Sequence, residues 1–259
     1  MNKFIQIHDK TIHIQWLNYS TFSNDKPVLV FLHEALGSIP QWRTFPSTLC
    51  NELKLPGIII ERSGHGQSSP LSSPRKNDYL HQYTEETKAC LHELLPPTQA
   101  IILIGHSDGG SIALLLGIKP QLNIRGIITM AAHTFVETIT LDGIKKAVEA
   151  YHQGKLAGLE KYHADKTENL FNAWADTWLS SDFAQWDIRE EILSIELPIL
   201  ALQGNGDQYG TEKQMDSIER ISSKASTVML SNCAHHPHIE QEKMVVHQIA
   251  NWVQNHAID

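Results

Sequence analysis

Gly105-His106-Ser107-Asp108-Gly109 is the stretch of this 259-residue chain whose spacing points most directly to chemistry. It reads Gly-x-Ser-x-Gly, set between the apolar run Ile101-Ile102-Leu103-Ile104 and the helix-forming Ser111-Ile112-Ala113-Leu114-Leu115. A sharp strand-to-helix turn strains its central residue and projects that side chain from the sheet edge. The residues two before and two after come so close that side chains would clash, which accounts for Gly105 and Gly109. The helix N-terminus adds a positive dipole end and free N–H groups. Ser107 is therefore the candidate nucleophile; the bland alternative is a glycine-rich turn with an incidental serine. A serine hydroxyl attacks poorly until a base takes its proton. A histidine, and a carboxylate to orient it, must come from elsewhere in the chain.

The elements that would position such groups are legible as apolar runs that stop abruptly. Val28–Leu32 stops at His33, Gly57–Ile60 at Glu61, Ile101–Ile104 at Gly105, Ile127–Met130 at Ala131 and Ile199–Leu202 at Gln203. Continuous apolar runs of this length are strands buried on both faces, as in a parallel sheet. Phe4–His8 and Thr11–Leu17 alternate instead and flank His8-Asp9-Lys10, a hairpin pattern. Helical spacing separates the runs, as in Tyr83, Thr87, Cys90, Leu91 and Leu94, and again in Val245, Ile249, Trp252 and Val253. Alternating strands and helices predict an α/β sheet covered on both faces. Ligands of such sheets bind beyond the carboxyl ends of the strands. From His133 to Ile195, 63 residues, no buried strand appears, only helical faces such as Ile144, Ala147, Val148 and Tyr151, or Leu170, Ala173, Trp174 and Trp178. A single crossover rarely needs so many residues, so this stretch reads as a helical insertion lying over the strand ends.

Composition narrows the functional class. Hydrophobic residues make up 41% and charged residues 19%, as in a folded globular chain. The formal net charge is −8, with 21 basic against 29 acidic residues, which argues against a partner bound through phosphate neutralisation or a polybasic membrane anchor. No apolar run approaches the ~18 residues of a spanning helix, and the N-terminus lacks the apolar core of a signal peptide. Cys50, Cys90 and Cys233 are few and far apart, and read as reduced thiols of a cytoplasmic protein.

Candidates for acid and base follow late strands. Asp207 lies in Gly204-Asn205-Gly206-Asp207-Gln208-Tyr209-Gly210, a stretch equally rich in turn formers. The rival position after Met130 offers His133 but no carboxylate before Glu137. After the strand-like Val228-Met229-Leu230 come His235, His236 and His238. Three histidines in four positions could suggest zinc. They lack i, i+4 helical spacing, and neither Cys-x-x-Cys nor His-Glu-x-x-His accompanies them. The reading is of no metal.

With these pieces in order, the chain resembles the α/β-hydrolases that carry a helical cap, over nearly its whole length. Leu32-His33-Glu34-Ala35-Leu36-Gly37-Ser38 is similar to that family's oxyanion loop, and Arg62-Ser63-Gly64-His65-Gly66-Gln67-Ser68-Ser69 to its Arg-x-x-Gly-x-Gly-x-Ser turn. The resemblance implies a mostly parallel central sheet of about eight strands covered by helices on both faces. The core would be residues 1–132 and 196–259, and the cap residues 133–195. It implies a catalytic triad of Ser107, Asp207 and His235, the last chosen because a small residue, Ala234, precedes it. His236 is a near rival and His238 a structural residue. The oxyanion donors would be the backbone N–H groups of Ala35 and Asp108. The family often has His-Gly where this chain has His33-Glu34. Glu34 is then either an anchor for the loop or a pocket wall. His33, His106, His133 and Trp174 are the other candidate pocket residues. Trp42, Trp178 and Trp186 read as packing, with one or two cap tryptophans in reach of substrate. The Asp108 carboxylate reads as a cap of the following helix.

The activity so implied is that of a carboxylesterase-like serine hydrolase. It would cleave a small-molecule acyl compound through an acyl-enzyme, with no cofactor. The same triad serves relatives that cleave carbon–carbon bonds of ring-cleavage diketones, hydrolyse thioesters or make peracids. A receptor built on the fold would usually have lost a triad member.

Overall fold

A run such as Val28-Leu29-Val30-Phe31-Leu32 has no polar face, so it must find apolar cover on both sides, and it does. The structure is a computed structural model that describes residues 1–256 apart from Ser73, Lys119 and Ser222. Its eight strands are β1 (Asn2–Ile7), β2 (Lys10–Leu17), β3 (Val28–Leu32), β4 (Gly57–Glu61), β5 (Ile101–His106), β6 (Ile124–Met130), β7 (Ile199–Gly204) and β8 (Ala225–Leu230). They form one sheet in the order β1-β2-β4-β3-β5-β6-β7-β8. The hairpin β1–β2 is antiparallel and joins β4 antiparallel; every other pairing is parallel.

The helices are α1 (Phe45–Leu53), α2 (Tyr79–Leu94), α3 (Asp108–Leu116), α4 (Thr138–His152), α5 (Glu160–His163), α6 (Thr167–Leu179), α7 (Arg189–Ile192), α8 (Glu212–Glu219), α9 (Pro237–Glu240) and α10 (Glu242–Asn255), and those outside the stretch between β6 and β7 cover both faces of the sheet. Successive strand residues point to opposite faces, and the core divides accordingly. Val28, Val30, Leu32, Ile58, Ile60, Leu103 and Ile127 pack with Leu80, Leu91, Ile112 and Ile218 of α2, α3 and α8. Leu29, Phe31, Ile59, Ile102, Ile104, Ile128 and Leu202 pack with Phe45, Leu49, Val245, Ile249 and Trp252 of α1 and α10. Burial on both faces is why these strands lack the polar alternation that β1 shows.

Between β6 and β7 the chain runs through α4 to α7 with one isolated antiparallel bridge, Phe135 to Asp187. The Ile188 N–H donates to the Thr134 carbonyl at 2.8 Å and the Val136 N–H to the Trp186 carbonyl at 3.2 Å. This neck closes the helical excursion before α7, so the outgoing and returning strands of chain meet near 135 and 187. Among the described residues, no helix is long and apolar enough to cross a membrane.

Candidate active site

β5 runs straight into the turn that holds Ser107. That residue has φ 52° and ψ −119°, a left-handed conformation that side chains avoid. Its N–H donates to the Met130 carbonyl at 2.9 Å. Its carbonyl accepts from the N–H groups of Gly110 and Ser111, at 2.8 and 3.1 Å, so α3 starts at once. A Cβ on Gly105 would overlap the Gly109 carbonyl, and one on Gly109 the Leu32 carbonyl at the end of β3. The glycine spacing thus follows from the first turn of α3 pressing on β5 and β3.

Two distant segments meet Ser107. Its Oγ lies 3.1 Å from His235 Nε2, and His235 Nδ1 lies 2.8 Å from Asp207 Oδ1. A proton on Nδ1 donated to the carboxylate leaves Nε2 free to accept from the serine hydroxyl. Asp207 follows β7 directly. The Tyr209 N–H donates to Oδ1 at 2.9 Å, and Gln203 Nε2 faces Oδ2 at 3.4 Å while donating to the Gly210 carbonyl at 2.8 Å. Burial alone would push the Asp207 carboxyl up. The hydrogen bond and charge of His235, with the Tyr209 N–H, outweigh it and hold the group below its usual value. The rival acid is occupied elsewhere: Glu137 accepts from the Thr211 N–H and hydroxyl and from Gln214 Nε2. His238 is buried against Trp42 and Phe45, with ring centroids 4.8 and 5.6 Å away.

The loop after β3 is held by its carbonyl groups. Arg62 donates through Nη1 to the His33 carbonyl at 2.6 Å and through Nη2 to the Glu34 carbonyl at 2.9 Å. His65 Nε2 donates to the Ala35 carbonyl at 3.0 Å, and His163 Nε2 to the Leu36 carbonyl at 2.9 Å. Four consecutive carbonyls are therefore tied down. Among the described residues, the N–H groups of Ala35 and Asp108 have no acceptor, and both residues line the same cavity as Ser107. Donors left free at a reacting centre are what a developing negative oxygen requires.

That cavity has a volume of about 220 Å³. Its floor includes Glu34, Ala35, Ser107, Asp108, His133, His235 and His236. Its upper walls are apolar and come from the helical excursion: Ile144, Ala147, Leu156, Leu159, Trp174 and Trp178. Of the pocket candidates, Glu34, His133 and Trp174 line it. His33 and His106 do not, because their ring nitrogens serve the framework. His33 Nδ1 donates to the Glu34 carbonyl at 2.7 Å and Nε2 accepts from the Arg62 N–H at 3.2 Å. Burial, with the nearby Arg62 charge, lowers His33 to about 3. His106 Nε2 donates to the His235 carbonyl at 2.7 Å. His133 Nε2 donates to the Tyr209 carbonyl at 3.0 Å, and burial next to His235 lowers its pKa.

The Asp108 side chain is not the helix cap expected of it. Ser107 occupies the cap position, with no side-chain cap bond. Asp108 Oδ2 instead accepts from the Tyr79 hydroxyl at 2.8 Å, which accepts in turn from Trp178 Nε1 at 2.7 Å. Tyr79, Tyr209 and His163 are residues of the site that sequence reasoning did not pick out, and His236, the near rival for the base, lines the cavity beside His235. His163 and Tyr79 bond partners that lie far away in the chain, so no local pattern marks them. Among the described residues, no group of three histidine, cysteine or acidic side chains is placed to hold a metal ion.

The sequence profile of the alpha/beta hydrolase fold matches residues 27–185. The structure superposes on the enol-lactonase from Burkholderia xenovorans LB400 with a TM-score of 0.78, at 14% identity, over 97% of this chain and 100% of that one. It superposes on a bacterial membrane phospholipase A with a TM-score of 0.81, at 16% identity, over 99% and 86%. Against proline iminopeptidase from Mycobacterium smegmatis the TM-score is 0.73, at 13% identity, over the full length of both. At these identities the likeness speaks for the fold alone.

Proposed function

The chain belongs to the alpha/beta hydrolase fold family, and on that premise we propose that it is a serine hydrolase cleaving a small carboxylic ester through an acyl-enzyme. One observation carries this reading: Ser107 Oγ, His235 and Asp207 form a continuous hydrogen-bonded series, at 3.1 and 2.8 Å, whose Ser107 and His235 lie on the floor of a cavity.

Ser107 is the nucleophile and His235 its general base. As Oγ attacks the carbonyl carbon, its proton passes to Nε2, and Asp207 stabilises the imidazolium and keeps its tautomer. The oxygen that becomes negative rests on the N–H groups of Ala35 and Asp108. His235 then returns the proton to the departing alkoxide. Water, deprotonated by the same base, releases the acid. The steps use side chains and backbone of this chain and one water, whose proton passes through His235 back to Ser107 Oγ. The helical excursion within residues 133–195 serves as the cap, and its apolar wall favours an uncharged acyl chain over a charged one.

The test uses short-chain p-nitrophenyl esters and an active-site phosphonate. The wild type should turn over the esters and take one phosphonate per chain. Ser107→Ala should lower kcat by at least about 10⁴-fold and abolish labelling. Retention of most activity in Ser107→Ala would reject the assignment. Turnover of a vinylogous diketone in place of the esters would move it to carbon–carbon bond hydrolysis on the same three residues.

A further inference from the structure

His106 sits immediately before the nucleophile, fully buried, and touches the neighbours of both other parts of the site. Its Nε2 lies 2.7 Å from the His235 carbonyl, and its Nδ1 lies 3.3 Å from Glu34 Oε2. A carbonyl only accepts, so Nε2 must carry a proton. In a neutral imidazole that leaves Nδ1 as a lone pair facing a carboxylate oxygen, which repels. One further proton must therefore lie between Nδ1 and Oε2, and the two side chains together are net neutral. Burial alone would push the Glu34 carboxyl up. The hydrogen bond and charge of His106 outweigh it and hold the group well below the usual carboxylate range.

The surroundings give the pair little other compensation. His235, His236 and His238 face His106 with ring centroids at 5.1, 5.0 and 4.6 Å. His236 is lowered to about 4 by burial and by His106, and is neutral near pH 7. Arg62 donates to the backbone carbonyls of His33 and Glu34 and not to the Glu34 carboxylate. Glu34 directly precedes Ala35 and lines the cavity, so an uncompensated carboxylate there would oppose the negative oxygen formed in the reaction.

We propose that His106 and Glu34 are positioning residues for the Ser107 reaction: a net-neutral, proton-sharing pair that ties the His235 segment to the Ala35 loop across the nucleophile turn and cancels the carboxylate charge beside the Ala35 N–H. This rests on the reading of Ala35 as an oxyanion donor.

A double-mutant cycle tests it, read as the rate constant of phosphonate labelling, kcat on a p-nitrophenyl ester and the urea midpoint. In His106→Gln the amide still reaches the His235 carbonyl but supplies no proton to Glu34. Labelling and kcat should fall by about a hundredfold, with KM little changed, and the urea midpoint should drop. In Glu34→Gln the amide donates to a neutral His106, and the loss should stay within about fivefold. The double variant Glu34→Gln with His106→Gln is uncharged and should recover to within about fivefold of Glu34→Gln, in rate and in midpoint. A purely structural role for His106 predicts no such rescue. If His106→Gln does not fold, the double variant decides: the proposal requires it to fold and to label. His106→Gln within threefold of wild type, or a double variant no better than His106→Gln, overturns the proposal while wild-type labelling stands. A wild type that does not label overturns the hydrolase reading, and this proposal with it.

Discussion

His163 joins the helical excursion to the loop after β3: its Nε2 donates to the Leu36 carbonyl at 2.9 Å. Its Nδ1 accepts from the Gly66 N–H at 3.0 Å, so one neutral ring clamps two loops at once. A proton on Nδ1 would set two donors against each other. His33 is committed in the same way, accepting from the Arg62 N–H and donating to the Glu34 carbonyl.

Both rings should make the fold acid-sensitive. Burial lowers the pKa of His163, and burial with the Arg62 charge lowers His33 to about 3, against 6.5 in the unfolded chain. The folded state then binds fewer protons than the unfolded state once pH falls below 6.5. Stability is full above that value and is lost progressively toward the folded pKa, at up to ~1.4 kcal/mol per pH unit for each ring. Urea unfolding between pH 8 and 5 should show this fall. A His163→Ala protein, less stable at pH 8, should show a shallower one; an equally steep fall would remove His163 from the account.

The Ser107 conformation carries a cost that glycine would not bear. At φ 52° a Cβ is strained, by roughly 1–3 kcal/mol. Ser107→Gly should therefore lose turnover and yet unfold at higher urea than Ser107→Ala, by about 1 kcal/mol, part of the relief being offset by the greater freedom of unfolded glycine. Equal midpoints for the two would show that the turn is not strained.

Gly109 should tolerate no side chain at all. Its missing Cβ leaves room for the Leu32 carbonyl at the end of β3, which is fixed backbone. Gly109→Ala should cost more than about 3 kcal/mol or fail to fold, measured by circular dichroism and thermal unfolding. Gly158→Ala, where a Cβ meets nothing within 4 Å, is the control and should change stability by less than about 0.5 kcal/mol.

Tyr79 links Asp108 to Trp178 of the excursion. Burial, then the Asp108 charge, push its phenol well above the usual value, so it remains a donor at working pH. Tyr79→Phe removes the hydroxyl that donates to Asp108 and accepts from Trp178. A buried carboxylate that loses a donor costs about 1.5–3 kcal/mol, and urea unfolding should show a loss of that size. A change below about 0.5 kcal/mol would mean that Asp108 finds another donor.

Much of the sheet was legible because short-range pattern and burial are the same fact here. The runs at 28–32, 57–60, 101–104, 127–130 and 199–202 each lie inside an observed strand, and the alternating pair at the N-terminus became the β1–β2 hairpin. The glycines around Ser107 were legible for a similar reason: they answer to steric crowding within a few residues, plus one carbonyl at the end of a neighbouring strand. Less could be read at the pocket. His33 and His106 lie at strand ends just as His133 does, but only His133 reaches the cavity wall, because the other two rings are turned into the framework.

The amino-acid order alone therefore determined the strands, the tight turn at Ser107 and the types of residue waiting at the strand ends. Those depend on hydrophobic burial and backbone sterics, which act on neighbours in the chain. Only the tertiary structure decided which waiting residues meet. His235 reaches Ser107 from 128 positions away, and His163 reaches Leu36 from 127. Hydrogen bonds of about 3 Å between such distant residues leave no trace in local pattern. They exist because a parallel sheet brings the ends of its strands to one edge, where side chains far apart in the chain become neighbours.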